Sequence, residues 1–290
     1  MKYQDVFSSN YRRILVPYEF RPEFKFTLQA AEEIAKYGNG SVTLLHSIRP
    51  TNAISTPFPH GFTFPISDTF YLFEENKKAL AKIADESSLP NSRFNVEIMR
   101  GSLNNNILSL QESNPHDLII VPDFHHTFFG RLASSINVPG LMKKSNVPVL
   151  AINNGDHLLK IRNILLPIRD VNGWFDKVPY TVSMANLTDS KITLMALVDE
   201  TSPNPLSQIR RKLRFCEKVL KTNGCYFEVI STSISKEPHL NIIDAATKCK
   251  ADLIALTPSK NISRIQYLFG SDLYEKVISN CSIPVFGMIK

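Results

Sequence analysis

The chain has 290 residues, 43% apolar and 21% charged, which excludes a disordered chain, a collagen and a coiled-coil rod. A chain of this length is expected to hold about two domains. Lys and Arg total 33 against 27 Asp and Glu, a net charge of +6 that favours solubility but is too weak to mark a nucleic-acid binder.

The opening residues Met1-Lys2-Tyr3-Gln4-Asp5 lack the apolar region of a secretion signal. No apolar run approaches the roughly 20 residues of a membrane span, so a cytoplasmic location is expected. Arg13–Tyr18 is a short Ile/Leu/Val run and predicts a buried strand. Pro22 and Glu23 suit a first helical turn. Phe24, Leu28, Ala31 and Ala35 then form one apolar helical stripe, with Gly38 and Gly40 expected to stop the helix. Val42–Ile48 is the second strand. A helix around Thr69–Asp85 carries Leu72, Ala79, Leu80 and Ile83 inward. Phe94, Val96 and Ile98 alternate as a third, more exposed strand. Leu103, Ile107 and Leu110 mark a helix, Leu118–Val121 a fourth strand and Val147–Ile152 a fifth.

The order then repeats. Val178, Val182 and Ala185 give one helix; Ile209, Leu213, Cys216 and Leu220 give the next, ended by Gly224. Arg13-Ile14-Leu15-Val16-Pro17 returns as Asn163-Ile164-Leu165-Leu166-Pro167, 150 positions on, and Val42-Thr43-Leu44-Leu45 as Ile192-Thr193-Leu194-Met195. Asp117-Leu118-Ile119-Ile120 matches Asp252-Leu253-Ile254-Ala255, and Val147-Pro148-Val149-Leu150 matches Ile283-Pro284-Val285-Phe286. Four blocks in the same order predict two homologous domains, 1–152 and 160–290, joined by a linker over 153–159. Strands and helices alternate, and the strands are continuously apolar. Each domain is therefore expected to be a doubly wound α/β unit with a parallel sheet covered on both faces. The four cysteines, Cys216, Cys225, Cys249 and Cys281, are read as reduced thiols, because a chain of this size needs no covalent staples.

On these blocks each half resembles the universal stress protein domain, over nearly the whole chain apart from an insertion around Pro50–Ser67. The resemblance rests on the Ile-Leu-Val-Pro strand, the Thr-Leu-Leu-His strand ending at His46, the Asp-Leu-Ile block and the closing Val-Pro-Val-Leu strand. It implies two tandem five-stranded parallel sheets of order 3-2-1-4-5, related by a pseudo-twofold axis and paired through their closing strands. Such pairing would also cover a sheet edge.

One branch of that family binds ATP. It uses an acid at the end of the first strand and, after the fourth, Gly-x-x-Gly, nine residues and Gly-Ser. Glycines let backbone N–H groups approach phosphate, and the following helix adds partial positive charge. In the second half the two glycine positions read Thr257 and Lys260, the closing pair Gly270-Ser271 is intact, and the acid position is Arg169. Asp170 follows, but on a strand it faces the other way. In the first half the glycine positions read Pro122 and His125, the closing pair falls near Ser134-Ser135, and the acid position is Glu19. Forcing a side chain into a left-handed glycine position costs about 1–2 kcal/mol, and Pro122 removes a donor outright. Neither half is expected to hold ATP in the family's usual way.

Gly270-Ser271 fits either an anion cradle or an ordinary N-cap for the helix bearing Leu273, Val277 and Ile278, and the cap is favoured. Lys260 and Arg264 suit a phosphate site or a solvated loop equally. Asp123-Phe124-His125-His126 lacks a completed metal-ligand set. Arg210, Arg211, Lys212, Arg214, Lys218 and Lys221 crowd one helix with Phe215 as the one aromatic, which favours a solvated face over a nucleic-acid surface. The Pro- and Phe-rich stretch Pro50–Tyr71 is long for a connection and is expected to pack over the first crevice or on the other domain. No Gly-x-Ser-x-Gly, Walker loop, Gly-x-Gly-x-x-Gly or His-Glu-x-x-His is present.

The reading is a non-enzymatic stress-response or regulatory protein with degenerate nucleotide sites, no resident cofactor, and its two domains paired within the chain. A homodimer is compatible with it. The alternatives are a regulator that takes ATP or AMP through altered contacts in the second half, and an interaction scaffold built on the Pro/Phe stretch.

Overall fold

A computed structural model describes residues 11–48, 66–123, 136–152, 161–169, 173–198, 200, 205–257 and 273–287. The first half runs β1 (Arg13–Pro17), α1 (Pro22–Gly38), β2 (Ser41–Ile48), α2 (Ile66–Asp85), β3 (Phe94–Arg100), α3 (Leu103–Ser113), β4 (Leu118–Pro122), α4 (Val138–Lys144) and β5 (Val149–Ile152). The second runs β6 (Asn163–Ile168), α5 (Val178–Thr188), β7 (Lys191–Val198), α6 (Pro205–Thr222), β8 (Phe227–Ser233), α7 (Pro238–Lys248), β9 (Leu253–Leu256), α8 (Leu273–Asn280) and β10 (Val285–Gly287).

All ten strands join one sheet in the order β3-β2-β1-β4-β5-β10-β9-β6-β7-β8. Each half thus has the order 3-2-1-4-5, parallel throughout. The halves meet where β5 and β10 pair antiparallel, Phe286 opposite Leu150. The central strands are apolar at nearly every position because helices cover both faces; β6 buries all six of its residues, the polar Asn163 included. The outermost strands β3 and β8 alternate between covered and exposed positions, as period-two side chains must at a half-covered edge.

The repeated sequence blocks have structural work. Asp117 Oδ2 accepts the Arg13 N–H at 2.9 Å, and the Asp117 N–H donates to the Arg13 carbonyl at 2.7 Å. Asp252 repeats the latch on the Arg162 and Asn163 N–H groups at 2.9 and 3.1 Å. In each half the Asp-Leu-Ile block therefore fixes the register of the fourth strand against the first.

One expectation needs correction. Glycine does not end α1. Gly38 is the helix's last residue, and Asn39 takes the left-handed turn at φ 48°. Asp189, 150 positions on, does the same at φ 52° after α5. Asn and Asp tolerate this region because a short polar side chain can bond locally. Gly40 is needed for another reason: a Cβ there would lie 2.6 Å from the Arg12 carbonyl oxygen.

At the seam the Tyr11 ring meets Phe286 edge to face, centroids 6.3 Å apart, α1 touches α5, and Lys143 pairs with Glu275 at 2.7 Å. The four cysteines are free thiols. The linker over 153–159 and residues 50–65 lie outside the described residues; the end of the Pro/Phe stretch, from Ile66, is already helical in α2.

Candidate functional site: two crevices at the switch points

In a doubly wound sheet, successive crossovers leave the first strand in opposite directions. This opens a crevice at the carboxyl ends of the first and fourth strands. Here those ends are β1 with β4, and β6 with β9.

In the first crevice Glu19 follows β1, and its Oε2 lies 3.2 Å from the guanidinium of Arg21. The Arg21 N–H also donates to the Glu19 carbonyl at 2.7 Å. This pairing offsets the charge of the carboxylate within its own turn. Aromatic rings crowd the same place. Phe20 packs on Tyr18 and on His46, with centroids 5.8 and 5.1 Å away, and Tyr18 packs on Phe24 at 5.8 Å. His46 Nδ1 lies 2.9 Å from the Tyr18 carbonyl oxygen, which fixes the turn after β1. Across the crevice Pro122 is the last residue of β4, buried and paired with Ile152, so it offers no N–H to a ligand.

In the second crevice Arg169 follows β6 and Thr257 follows β9. The turn over residues 173–177 folds against the end of β9: a Cβ at Gly173 would sit 3.8 Å from Thr257 Cγ2 and 3.1 Å from Asp176 Oδ2. Gly173 itself has φ 71°, a conformation suited to glycine. Lys177, at the end of this turn and the start of α5, is buried. Burial is the main cause that lowers its pKa to about 8; Arg169 adds to the lowering, while Cys216 and Asp176 oppose it. Burial pushes the Cys216 thiol up to about 12.

Of the expected site residues, Glu19 and Pro122 thus border one crevice, and Arg169 and Thr257 the other. His125, Ser134, Ser135, Lys260, Gly270 and Ser271 lie outside the described residues. The sequence did not single out Lys177, nor the ring set Tyr18, Phe20 and Phe24. A lone lysine before Val178-Pro179 carries no sequence signal of burial, whereas the aromatic spacing after β1 was readable.

On α6 the side chains of Arg210, Arg211, Arg214, Lys218 and Lys221 are exposed. The fold adds aromatics that sequence spacing could not place there. Trp174 and Phe175 lie 6.3 and 5.1 Å from Phe215, and Lys212 sits over the Trp174 ring at 5.3 Å. Among the described residues no helix is long and apolar enough to cross a membrane, and no group of three or more His, Cys, Asp or Glu could hold a metal ion.

Comparison with known proteins adds the lineage. The universal stress protein family matches residues 10–153. The chain also resembles the crystal structure of a universal stress protein from Archaeoglobus fulgidus DSM 4304. That likeness has a TM-score of 0.73 at 17% identity and covers 98% of this chain and 97% of that one. A functionally unknown protein from Pseudomonas aeruginosa PAO1 gives 0.63 at 15% identity, covering 98% and 94%. Likeness at such identity concerns the fold, here over both halves. No curated protein matches the chain by sequence.

Proposed function

We propose, from the premise that residues 10–153 belong to the universal stress protein family, that the chain is a tandem member of it, a non-enzymatic regulatory protein of the cytoplasm. Its domains span 1–152 and 160–290, and neither holds ATP in the family's usual way. The observation that carries this reading is the second crevice, where Arg169 reverses the charge expected of a ribose-binding acid and the turn ending in Lys177 packs against Thr257. A triphosphate cradle needs bare backbone at that point. The first crevice agrees: Pro122 lacks a donor, and Glu19 is paired with Arg21.

The test is the denaturation midpoint with and without millimolar ATP-Mg. A ligand of the native state stabilises by RT ln(1 + [L]/Kd), so no rise is expected, and a saturable rise would overturn the reading. Conversely, Thr257→Gly, Lys260→Gly and Arg169→Asp in one chain should create an ATP-dependent rise. A triple variant that folds and still ignores ATP would show that other features block the site. A second reading, an ATP- or AMP-binding regulator using altered contacts in the second half, draws on the two cations beside that crevice, Arg169 and Lys177.

A further inference from the structure

Helix α6 carries Arg210, Arg211, Lys212, Arg214, Lys218 and Lys221 against Glu217 alone, a net charge of +5 (6 − 1) in a chain whose total is +6. The fold does not require this. Helix α2 holds the equivalent place in the first half, between the second and third strands. It sets Asp68, Glu74, Glu75 and Asp85 against Lys77, Lys78 and Lys82, a net charge of −1 (3 − 4), and pairs Lys78 with Glu75 at 3.6 Å. On α6 the exposed Arg210, Arg211, Arg214 and Lys218 pair with no carboxylate of the described residues. Arg211, Arg214, Lys218 and Lys221 follow one another at spacings of three, four and three, which makes one cationic stripe down the helix. Like charges at these spacings destabilise a helix, a cost that an anionic partner removes.

An aromatic group stands among these cations. Phe215 is 46% exposed, with Arg211 one turn before it and Lys218 one turn after. The rings of Trp174 and Phe175 meet it at steep angles, 81° and 70°, and Lys212 lies over the Trp174 ring. The three rings thus form a wedge rather than the flat platform on which nucleic-acid bases stack. On the same helix Ser207, Arg210, Arg211 and Arg214 line an open cleft of about 390 Å³. Guanidinium forks match phosphate geometry. We propose that the α6 face docks on an anionic lipid bilayer, with its cations on the lipid phosphates and Phe215 entering at headgroup level. A helix rich in Lys and Arg with an outward aromatic suits that interface, where charge stays wet and the ring is buried. The proposal is independent of what either crevice binds, and its failure would leave the nucleotide reading standing.

The experiment co-sediments the intact chain with phosphatidylcholine vesicles containing one-third phosphatidylglycerol and, separately, with vesicles of phosphatidylcholine alone. Saturable binding to the first and not to the second is expected, weakening as sodium chloride is raised. One cation near such a surface is worth about fivefold in affinity. The double variant Arg211→Gln, Lys218→Gln should therefore bind about 25-fold more weakly. Phe215→Ser should also weaken binding, and by a factor that salt does not change, because ring burial is not screened. Lys78→Gln with Lys82→Gln removes the same charge from α2 and should leave binding nearly unchanged. Wild-type protein that binds both vesicles alike, or neither, would overturn the proposal. So would an α2 variant that loses as much as the α6 variant does. A labelled oligothymidylate bound by protein that ignores the anionic vesicles would overturn it in favour of a nucleic-acid surface.

Discussion

The Tyr11 hydroxyl donates a 2.7 Å hydrogen bond to the Tyr180 carbonyl, fastening the entrance of β1 in one half to helix α5 of the other. Tyr11 is fully buried, with its ring against Phe286. Tyr11→Phe keeps the ring and removes the bond, at a cost of about 1 kcal/mol. Tyr11→Ala also opens a cavity, at a cost of about 3–5 kcal/mol. Urea denaturation of the two variants should show this gradation; equal losses would place the whole effect in the hydroxyl.

Gly287 marks the same seam from the other side. A Cβ there would lie 2.6 Å from Met142 Sδ and 3.0 Å from Tyr274 Cε2. Met142 can swing aside more readily than the buried Tyr274 ring. Gly287→Ala should cost about 1–3 kcal/mol through overpacking, read as a lower urea midpoint with an unchanged slope.

Acid should act through His116. The side chain is 3% exposed, and its Nδ1 lies 3.0 Å from Gln111 Oε1. Burial, with Arg13 adding to it, lowers its pKa from 6.5 to about 4. The unfolded chain takes up the proton first, so stability is lost as pH falls from 6.5 towards 4 and is fully present above that window. The drop attributable to His116 is about 3 kcal/mol. His116→Gln should flatten the pH profile between those limits, whatever its effect at pH 7.

Lys177 gives the opposite limb. Its folded pKa, about 8, lies below the 10.5 of the unfolded chain. The burial cost is therefore complete below pH 8 and is relieved between 8 and 10.5. Arg169, Asp176 and Cys216 face it, and Cys216, raised to about 12, stays a thiol across this range. Wild type should gain on Lys177→Met by about 3 kcal/mol from pH 8 to 10.5. A constant difference between the two would mean that Lys177 does not titrate in that window.

The repeat was legible because each copy of a block does the same physical task. Asp117 and Asp252 latch the same strand pair, and the residues at a spacing of 150 reach the same helix-ending turn, Asn39 and Asp189. What the sequence concealed was which residue would do the turning: glycines beside Asn39 drew the expectation, while the asparagine took the left-handed conformation and Gly40 answered to the Arg12 carbonyl. The missing glycines at Pro122 and Thr257 were readable as residue types in register. The burial of Lys177 was not, because it depends on Cys216 and Arg169, 39 residues after it and eight before it, closing around one ammonium group. Likewise the rings of Trp174 and Phe175 reach Phe215 only through the crossover of the fold.

The antiparallel ladder between β5 and β10 lies within a single covalent chain. A sheet edge that would otherwise wait for a second molecule meets its mate by tethering, at a local concentration that dilution does not lower. Unfolding of the joined sheet should therefore be first order in protein, with a midpoint that stays fixed from nanomolar to micromolar samples.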